Sequence, residues 1–198
     1  MQLEPVILRG NHIRLEQLSL DHLDDLSQVG LDSEIWRWAP EPITNREQMR
    51  AYVETALGGL AEGTVLPFAT VLNETNQVVG STRFANVDRT NRHVEIGWTW
   101  IGPAWQRTAV NTEAKYLMLR HAFETLGCIR VELKTDSLNE KSRNAILRIG
   151  AKEEGTFRNH MITRAGRYRH TVYFSVIDSE WPDVKRGLEE RLASVRKV

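Results

Sequence analysis

One helix-like segment constrains the fold more than any other part of the chain. Between residues 112 and 126 apolar side chains cover most of the circumference of a helix, and Gly127 stands where a left-handed C-terminal cap is expected. A helix that is apolar on most sides must be covered on most sides. Strand-like segments precede and follow it. The pattern therefore predicts a buried helix that packs against a sheet.

The rest of the chain alternates strand-like and helix-like segments. Their order predicts an α+β fold in three layers, β-α-α-β-β-β-α-β-α-β-β, with a mixed central sheet and helices on both faces. The two helices near the N-terminus are expected to form a flap over the first strand. The next three strands are predicted to form an antiparallel meander at residues 68–72, 78–84 and 93–101.

A charged helix is predicted at the C-terminal end, over residues 180–198, and is expected to lie on the surface. No repeat or low-complexity linker interrupts the sequence. We therefore expect a single domain over residues 1–198. The strand edges near this end of the chain are expected to be exposed, and a homodimer would cover them.

Composition argues against several functional classes. The 198 residues include 26 basic and 26 acidic side chains, so a net charge of zero gives no general attraction to nucleic acid or to a membrane. No apolar run approaches the ~20 residues that cross a bilayer, and Glu4, Arg9 and Arg14 interrupt the region of a signal peptide. We expect a cytoplasmic protein. The single Cys128 excludes an intrachain disulfide, and the histidine spacing predicts no metal site.

The junction between the third meander strand and the buried helix is the most informative part of the sequence. A strand, a short polar loop and a helix start place several backbone N–H groups together, where they and the helix dipole can bind phosphate oxygens. Arg107 would add a charge-assisted contact. The alternative is a loop that only turns the chain, since neither GxxxxGK[ST] nor GxGxxG is present.

Three motifs in order resemble the GNAT superfamily of N-acetyltransferases, in particular the branch that acetylates N-terminal alanines of ribosomal proteins. Residues 106–111 occupy the frame of the phosphate-loop pattern [Q/R]-x-x-G-x-[G/A], between a strand and a helix, and the following helix is similar to that of the branch. Asn139, Ser142, Ala145 and Gly150 fit the pattern of a later helix. The resemblance implies a GNAT-like sheet, acetyl-CoA as co-substrate and an amine acceptor, such as a protein N-terminus.

The same resemblance implies a set of residues that contact coenzyme A. They are Trp100, Ile101, Gln106, Arg107, Thr108, Ala109, Val110, Asn111, Thr112, Asn139 and Ser142. Two residues depart from the family pattern. Ala109 replaces a glycine, and a positive φ there would cost ~1 kcal/mol or more. Ile146 replaces a tyrosine general acid, so Ser142 becomes the expected proton donor, with an N-terminal cap as its alternative role.

Amine attack on a thioester needs a proton acceptor and a donor for the developing oxyanion. Glu95 is the expected base. Strict alternation along its strand would place Gly97 and Thr99 on the face of Glu95, and Trp98 and Trp100 on the other face. The alternative is a solvent-facing glutamate paired with Arg83 or Arg92. Asp136 is a second candidate base, whose alternative role is that of a turn residue.

The acceptor pocket is expected to contain aromatic side chains, and the candidates are Trp36, Trp38 and Trp98. Packing in the core is the alternative for each of them. The acceptor itself stays open between a peptide α-amine, a polyamine and an aminoglycoside-like amine. Ala109 and Ile146 both depart from the family pattern. The competing hypothesis is therefore a protein that binds acyl-CoA without catalysing acetyl transfer.

Overall fold

A computed structural model describes residues 3–194 as one eight-stranded sheet flanked by helices. The strand order is β1-β2-β3-β4-β5-β6-β8-β7. The strands are β1 (Leu8–Arg9), β2 (Ile13–Gln17), β3 (Leu66–Leu72), β4 (Val78–Asp88), β5 (His93–Ile101), β6 (Arg130–Asp136), β7 (Lys152–Ile162) and β8 (Tyr168–Ile177). The helices are α1 (Leu23–Gly30), α2 (Ser33–Trp36), α3 (Arg46–Ala61), α4 (Ala109–Arg120), α5 (Glu140–Arg148) and α6 (Trp181–Ser194).

The predicted mixed α/β architecture is confirmed, with helices on both faces of the sheet. The first predicted strand is divided into β1 and β2, because the chain turns back at Gly10, whose N–H donates to the carbonyl of Ile13 at 2.9 Å. The Glu113 carboxylate of α4 accepts the backbone N–H groups of Asn11, His12 and Ile13 at 2.7–2.8 Å. The carboxylate thus satisfies backbone N–H groups of the turn that have no partner in a neighbouring strand.

The expected buried helix is present as α4, which continues through a π-helical turn, His121–Thr125. Leu117, Met118 and Leu119 are almost completely buried, and Gly127 has φ +66° at the predicted cap. The helix begins at Ala109, earlier than expected. The reason is a cap at Thr108, whose side-chain oxygen accepts the N–H of Val110 at 3.3 Å.

Helices α1 to α3, which we call the flap, cover the face of the sheet opposite α4. Their core contains Met49, Val53 and Trp36, packed on Val71 of β3 and Trp100 of β5. The flap therefore covers the middle of the sheet, and the expectation that it lies over the first strand was wrong. The other core lies under α4 and α6.

The meander β3–β4–β5 is antiparallel, as predicted, whereas β5 and β6 are parallel. These two strands pair only from His93 to Glu95 on β5 and from Arg130 to Glu132 on β6. Beyond that point β5 stays paired with β4, and β6 stays paired with β8. The strands diverge, and we call the V-shaped opening between them the splay. Because they are parallel, the helices that follow them, α4 and α5, both begin near its open end.

Helix α6 begins at Trp181 and buries Trp181 and Leu188 against the α4 side of the core, while its acidic and basic residues face outward. The last part of the predicted surface helix, residues 195–198, lies outside the described residues. At the other end of the sheet, β7 is an edge strand with little buried surface. Within residues 3–194, no helix has the length and apolar character needed to cross a membrane.

Candidate active site

A β-bulge in β5 shapes the splay. The register with β4 slips between Arg83–Gly97 and Ser81–Trp100, which places an extra residue on β5 at Trp98, where φ is +48°. A bulge reverses the alternation of side chains beyond it. Thr99 therefore points towards α4, and the prediction that it shares the face of Glu95 was wrong.

Trp98 and Trp100 consequently lie on the flap side, the face occupied by Glu95 and Gly97, and not on the face opposite Glu95 as predicted. The guanidinium of Arg83, on the neighbouring strand, lies 5.1 Å from the centre of the Trp98 ring. Trp100 packs against Trp36, with ring centres 5.5 Å apart. The bulge thus collects the aromatic side chains of β5 on one side of the splay.

Glu95 occupies the apex of the splay, at the last residue of β5 that pairs with β6. Its side chain is buried, and Oε2 accepts from Nδ2 of Asn86 at 2.5 Å and from Nζ of Lys134 at 2.8 Å. The alternative of an exposed glutamate paired with Arg83 or Arg92 was wrong, because its cationic partner comes from β6. The ion pair holds the carboxylate where the two strands separate.

The loop before α4 brings backbone and cationic groups to the open end of the splay. The side-chain Nε2 of Gln106 donates to the carbonyl of Ile101 at 2.9 Å. Its side-chain Oε1 accepts from Nζ of Lys141, in the first turn of α5. Arg107 is exposed beside them. A helix N-terminus with two nearby cations fits the charge of a diphosphate. This arrangement connects the two helices across the opening.

The conformation of this loop corrects the expectation for Ala109. Arg107 has φ +64°, whereas Ala109 is the first residue of α4 and is 1% exposed. The left-handed position is therefore two residues earlier than expected, and Ala109 carries no such strain. A methyl group there packs into the core under the helix.

The start of α5 contains the candidate proton donor. Asn139 caps this helix, and its Oδ1 accepts the N–H of Ser142 at 3.0 Å. The alternative role of Ser142 as the cap was wrong, because Asn139 fills that position. Ser142 is half-buried in the first turn of α5, and Ile146 is buried one turn later.

The remaining aromatic candidates differ in exposure. Trp36 is a core residue of the flap, where its indole N–H donates to the carbonyl of Gly30 at 2.6 Å. Trp98 is 47% exposed at the bulge. Trp38 is half-buried, and Arg37 and Arg167 lie over its ring at 5.4 and 5.7 Å. Of the three candidates, Trp98 and Trp38 therefore offer accessible aromatic surface, whereas Trp36 does not.

Asp136 lies at the end of β6 with its carboxylate buried. One oxygen accepts the N–H of Leu138 at 3.0 Å, and the other pairs with Arg167. The role of a turn residue, supported by an ion pair, fits these contacts. Across the described part of the chain, no group of three or more His, Cys, Asp or Glu side chains is arranged to hold a metal ion.

Sequence reasoning missed the burial of the Lys115 and Arg83 side chains. Lys115 in α4 donates from Nζ to the hydroxyl oxygen of Thr99 at 2.6 Å, and Thr99 lies 2.7 Å from the hydroxyl of Thr82. Burial lowers the pKa of Lys115 to about 7, although the charge of Glu95 opposes this shift. The available signal was the position of this lysine in a helix whose apolar side chains cover most of its circumference. The second cation, Arg83, offered no comparable sequence signal.

Comparison with known proteins agrees with this geometry. Residues 12–152 match the family model described as "Acetyltransferase (GNAT) domain". A solved GCN5-related N-acetyltransferase from Brucella melitensis is 33% identical, with a TM-score of 0.90 over 98% of this chain and 88% of that one. The Bacillus subtilis protein named "Putative ribosomal N-acetyltransferase YdaF" is 35% identical over 54% of this chain and 57% of its own length.

A structure of Mycobacterium smegmatis RimJ in complex with CoA-disulfide shares the fold, with a TM-score of 0.78 at 20% identity over 94% of this chain and 92% of that one. The family match extends from β2 to the first residue of β7 and so includes the splay, the loop before α4 and the start of α5. The chain belongs to the GNAT family of acetyltransferases. It is an enzyme of the N-acetyltransferase class.

Proposed function

We propose that this enzyme transfers the acetyl group of acetyl-CoA to a primary amine, and that the acceptor is the N-terminal amine of a protein or peptide. The observation that carries this proposal is the splay, with the starts of α4 and α5 at its open end and a buried carboxylate at its apex. The diphosphate would lie on the loop of residues 106–112, between Arg107 and Lys141. The acetyl end would extend along the edge of β5 that β6 leaves unpaired.

Each proposed residue has a defined part in the transfer. Glu95 accepts a proton from the attacking ammonium, so that the neutral amine can form the new C–N bond to the thioester carbonyl. A backbone N–H of the β5 bulge stabilises the oxyanion. When the C–S bond breaks, Ser142 donates a proton to the departing thiolate and regains, through water, the second proton that the nitrogen loses as the amide forms. Glu95 releases the first proton to solvent. The alternative donor is water itself.

One relative favours a protein acceptor. The Bacillus subtilis relative is named as a putative ribosomal N-acetyltransferase. Trp98 is also exposed on the flap side of the splay, where we expect the acceptor to bind. Its ring offers a surface against which an extended peptide can pack. Small polycationic amines are the competing acceptors. They would meet the positive charges of Arg83, Lys134 and Arg167 on this side.

The test measures acetyl-CoA binding and turnover separately. Calorimetry should show that the double variant Arg107→Glu, Lys141→Glu, at two exposed positions, loses acetyl-CoA affinity by tenfold or more, while the exposed control Arg148→Glu keeps it. Turnover is then measured with a panel of N-terminal peptides, spermidine and kanamycin. Unchanged affinity in the double variant contradicts the cofactor site. Tight binding without acetylation of any amine would instead support a protein that binds acyl-CoA without catalysing acetyl transfer.

A further inference from the structure

Arg83 of β4 is a buried cation with uncommitted donors. The residue is 4% exposed, and neither Nε nor Nη2 has a hydrogen-bond partner. Burial of a charged group without hydrogen bonds is costly, and such groups are normally paired in folded proteins. The two nitrogens form one edge of the guanidinium, the edge that binds both oxygens of a carboxylate in parallel.

Two aromatic rings hold Arg83 in place without using that edge. Its guanidinium carbon lies 4.7 Å from the ring centre of Tyr52 in α3 and 5.1 Å from that of Trp98 in β5. The Tyr52 hydroxyl donates to the carbonyl of Trp98 at 3.2 Å, which ties the flap to the bulge. Cation–π contacts offset part of the cost of burial, but they leave in-plane N–H groups free to donate.

No carboxylate within the described residues fills this role. Glu95 lies on the same face of the sheet, two residues from Gly97, the pairing partner of Arg83. Its carboxylate is bound to Asn86 and Lys134. Arg83 takes part in no ion pair within residues 3–194. The unpaired edge therefore lies beside the proposed base and beside the exposed ring of Trp98.

We propose that Arg83, with Trp98 and Tyr52, binds a carboxylate of the acceptor, so that the preferred acceptor carries a carboxylate close to its amine. This inference rests on the proposed acetylation of an amine at the splay. The carboxylate has two possible sources: an acidic side chain next to a peptide N-terminus, or the α-carboxylate of a free amino acid. Nearby Lys134, with Nζ 5.9 Å from the Trp98 ring centre, adds to the positive potential.

Matched acceptors test the inference in the wild-type enzyme. Rates of CoA release are measured with the peptides Ala-Asp-Ala-Ala and Ala-Asn-Ala-Ala, and with alanine and alaninamide. We expect the carboxylate member of at least one pair to have a kcat/KM tenfold or more above its neutral partner. The peptide pair identifies a side-chain carboxylate, and the amino-acid pair identifies an α-carboxylate. Equal kcat/KM values within both pairs overturn the inference and leave the proposed function intact.

Variants of Arg83 connect the preference to this residue. Arg83→Met should lower kcat/KM for the carboxylate acceptor by tenfold or more, mainly through KM, and should leave the neutral acceptor and acetyl-CoA affinity unchanged. Arg83→Lys keeps the positive charge but lacks the two parallel N–H donors of the guanidinium. Its preference for the carboxylate acceptor should lie between those of Arg83→Met and the wild-type enzyme. Equal losses on both acceptors overturn the inference. If Arg83→Met does not fold, the wild-type comparison still decides. Absence of acetylation of every amine overturns both the inference and the proposed function.

Discussion

At the scale of single residues, helix α4 contains two buried charged side chains with different kinds of partner. Lys115 has one hydroxyl as its hydrogen-bond partner, and Glu113, two residues earlier, is bound by three backbone N–H groups. The same helix therefore contains one charged side chain that supports a turn and another whose ammonium form is destabilised. The lowered pKa of Lys115 should make the stability of the protein depend on pH.

Removal of the buried ammonium should stabilise the protein. In the folded state the pKa of Lys115 is lowered to about 7 from 10.5, so between these values the unfolded chain binds more protons and wild-type stability rises with pH. Lys115→Met removes this dependence and should raise the free energy of unfolding by roughly 1–4 kcal/mol at pH 6.5. The gain should shrink as the pH approaches 10. Urea unfolding at several pH values measures it.

The exposed Lys152 provides the matched control for that experiment, since its side chain is 74% exposed in an ion pair with Glu180. Lys152→Met should change the free energy of unfolding by less than about 0.5 kcal/mol. A gain for Lys115→Met that is the same at pH 6.5 and pH 10 would show that packing, and not the charge, explains the stabilisation.

Glu95 should matter most while the acceptor amine is protonated. Glu95→Gln keeps the shape of the side chain, but its amide accepts a proton poorly, so the rate should fall by ~10²–10⁴-fold. An α-amine has a pKa of ~8, so the defect should diminish above that pH as the free amine becomes abundant. A pH–rate profile of kcat/KM tests this. Loss of less than ~10-fold at pH 6.5 would reduce Glu95 to a structural role.

Ser142 should affect the chemical step and not binding. If its hydroxyl protonates the leaving thiolate, Ser142→Ala lowers kcat by more than ~10-fold and leaves acetyl-CoA affinity unchanged, because the contact strengthens only as charge develops on sulfur. The exposed Ser179→Ala is the control. Stopped-flow turnover and calorimetry separate the two effects. An Ala variant at full rate would make water the proton donor.

At the scale of elements, the loop between β5 and α4 combines strain with positive charge. Arg107 is held at φ +64° between a short 3-10 turn and the Thr108 cap. Left-handed backbone in a residue with a Cβ costs ~1 kcal/mol or more, and glycine avoids that cost. The strain is therefore located at the residue whose side chain is proposed to face the diphosphate.

Substitution at this position should separate strain from charge. Arg107→Gly should raise the free energy of unfolding by roughly 0.5–1 kcal/mol, whereas Arg107→Ala, which keeps a Cβ, should not. Both variants lose the cation and should weaken acetyl-CoA binding to a similar extent. Thermal unfolding and calorimetry provide the two readouts. Equal stability of the Gly and Ala variants would show that the loop stores no strain at this residue.

At the scale of the whole molecule, the sheet has one edge that its own helices leave open. Strand β7 exposes apolar side chains, with Phe157 55% and Ile162 69% exposed, and Tyr168 at the start of β8 is 62% exposed. Exposed apolar edge strands are templates for pairing with another chain. This feature is consistent with the homodimer expected from the sequence, which stays a prediction.

A substitution on the edge tests that prediction. Sedimentation of the wild-type protein should show a dimer, and Ile162→Asp, which places a charge on the exposed face of β7, should shift the protein to monomer without lowering its melting temperature. The exposed Glu62→Lys on the flap is the control and should stay dimeric. A wild-type protein that sediments as a monomer at every concentration contradicts the prediction.

The sequence by itself determined the order of the elements from β3 to β8, the buried helix α4, the left-handed Gly127 and the position of the loop before that helix. These features follow from local rules, namely periodicity, capping and turn chemistry, which act over a few residues. The motifs of the family could be recognised for the same reason, because each one lies within a short segment.

Only the tertiary structure decided which side chains meet at the splay. The bulge at Trp98 arises from the pairing of β5 with β4, and it reversed the predicted positions of Thr99 and Trp100. Lys134 reaches Glu95 from a strand 39 positions later in the chain, and the burial of Arg83 depends on α3 and β5 together. Strand register and packing between distant segments set these contacts, and no local pattern records them.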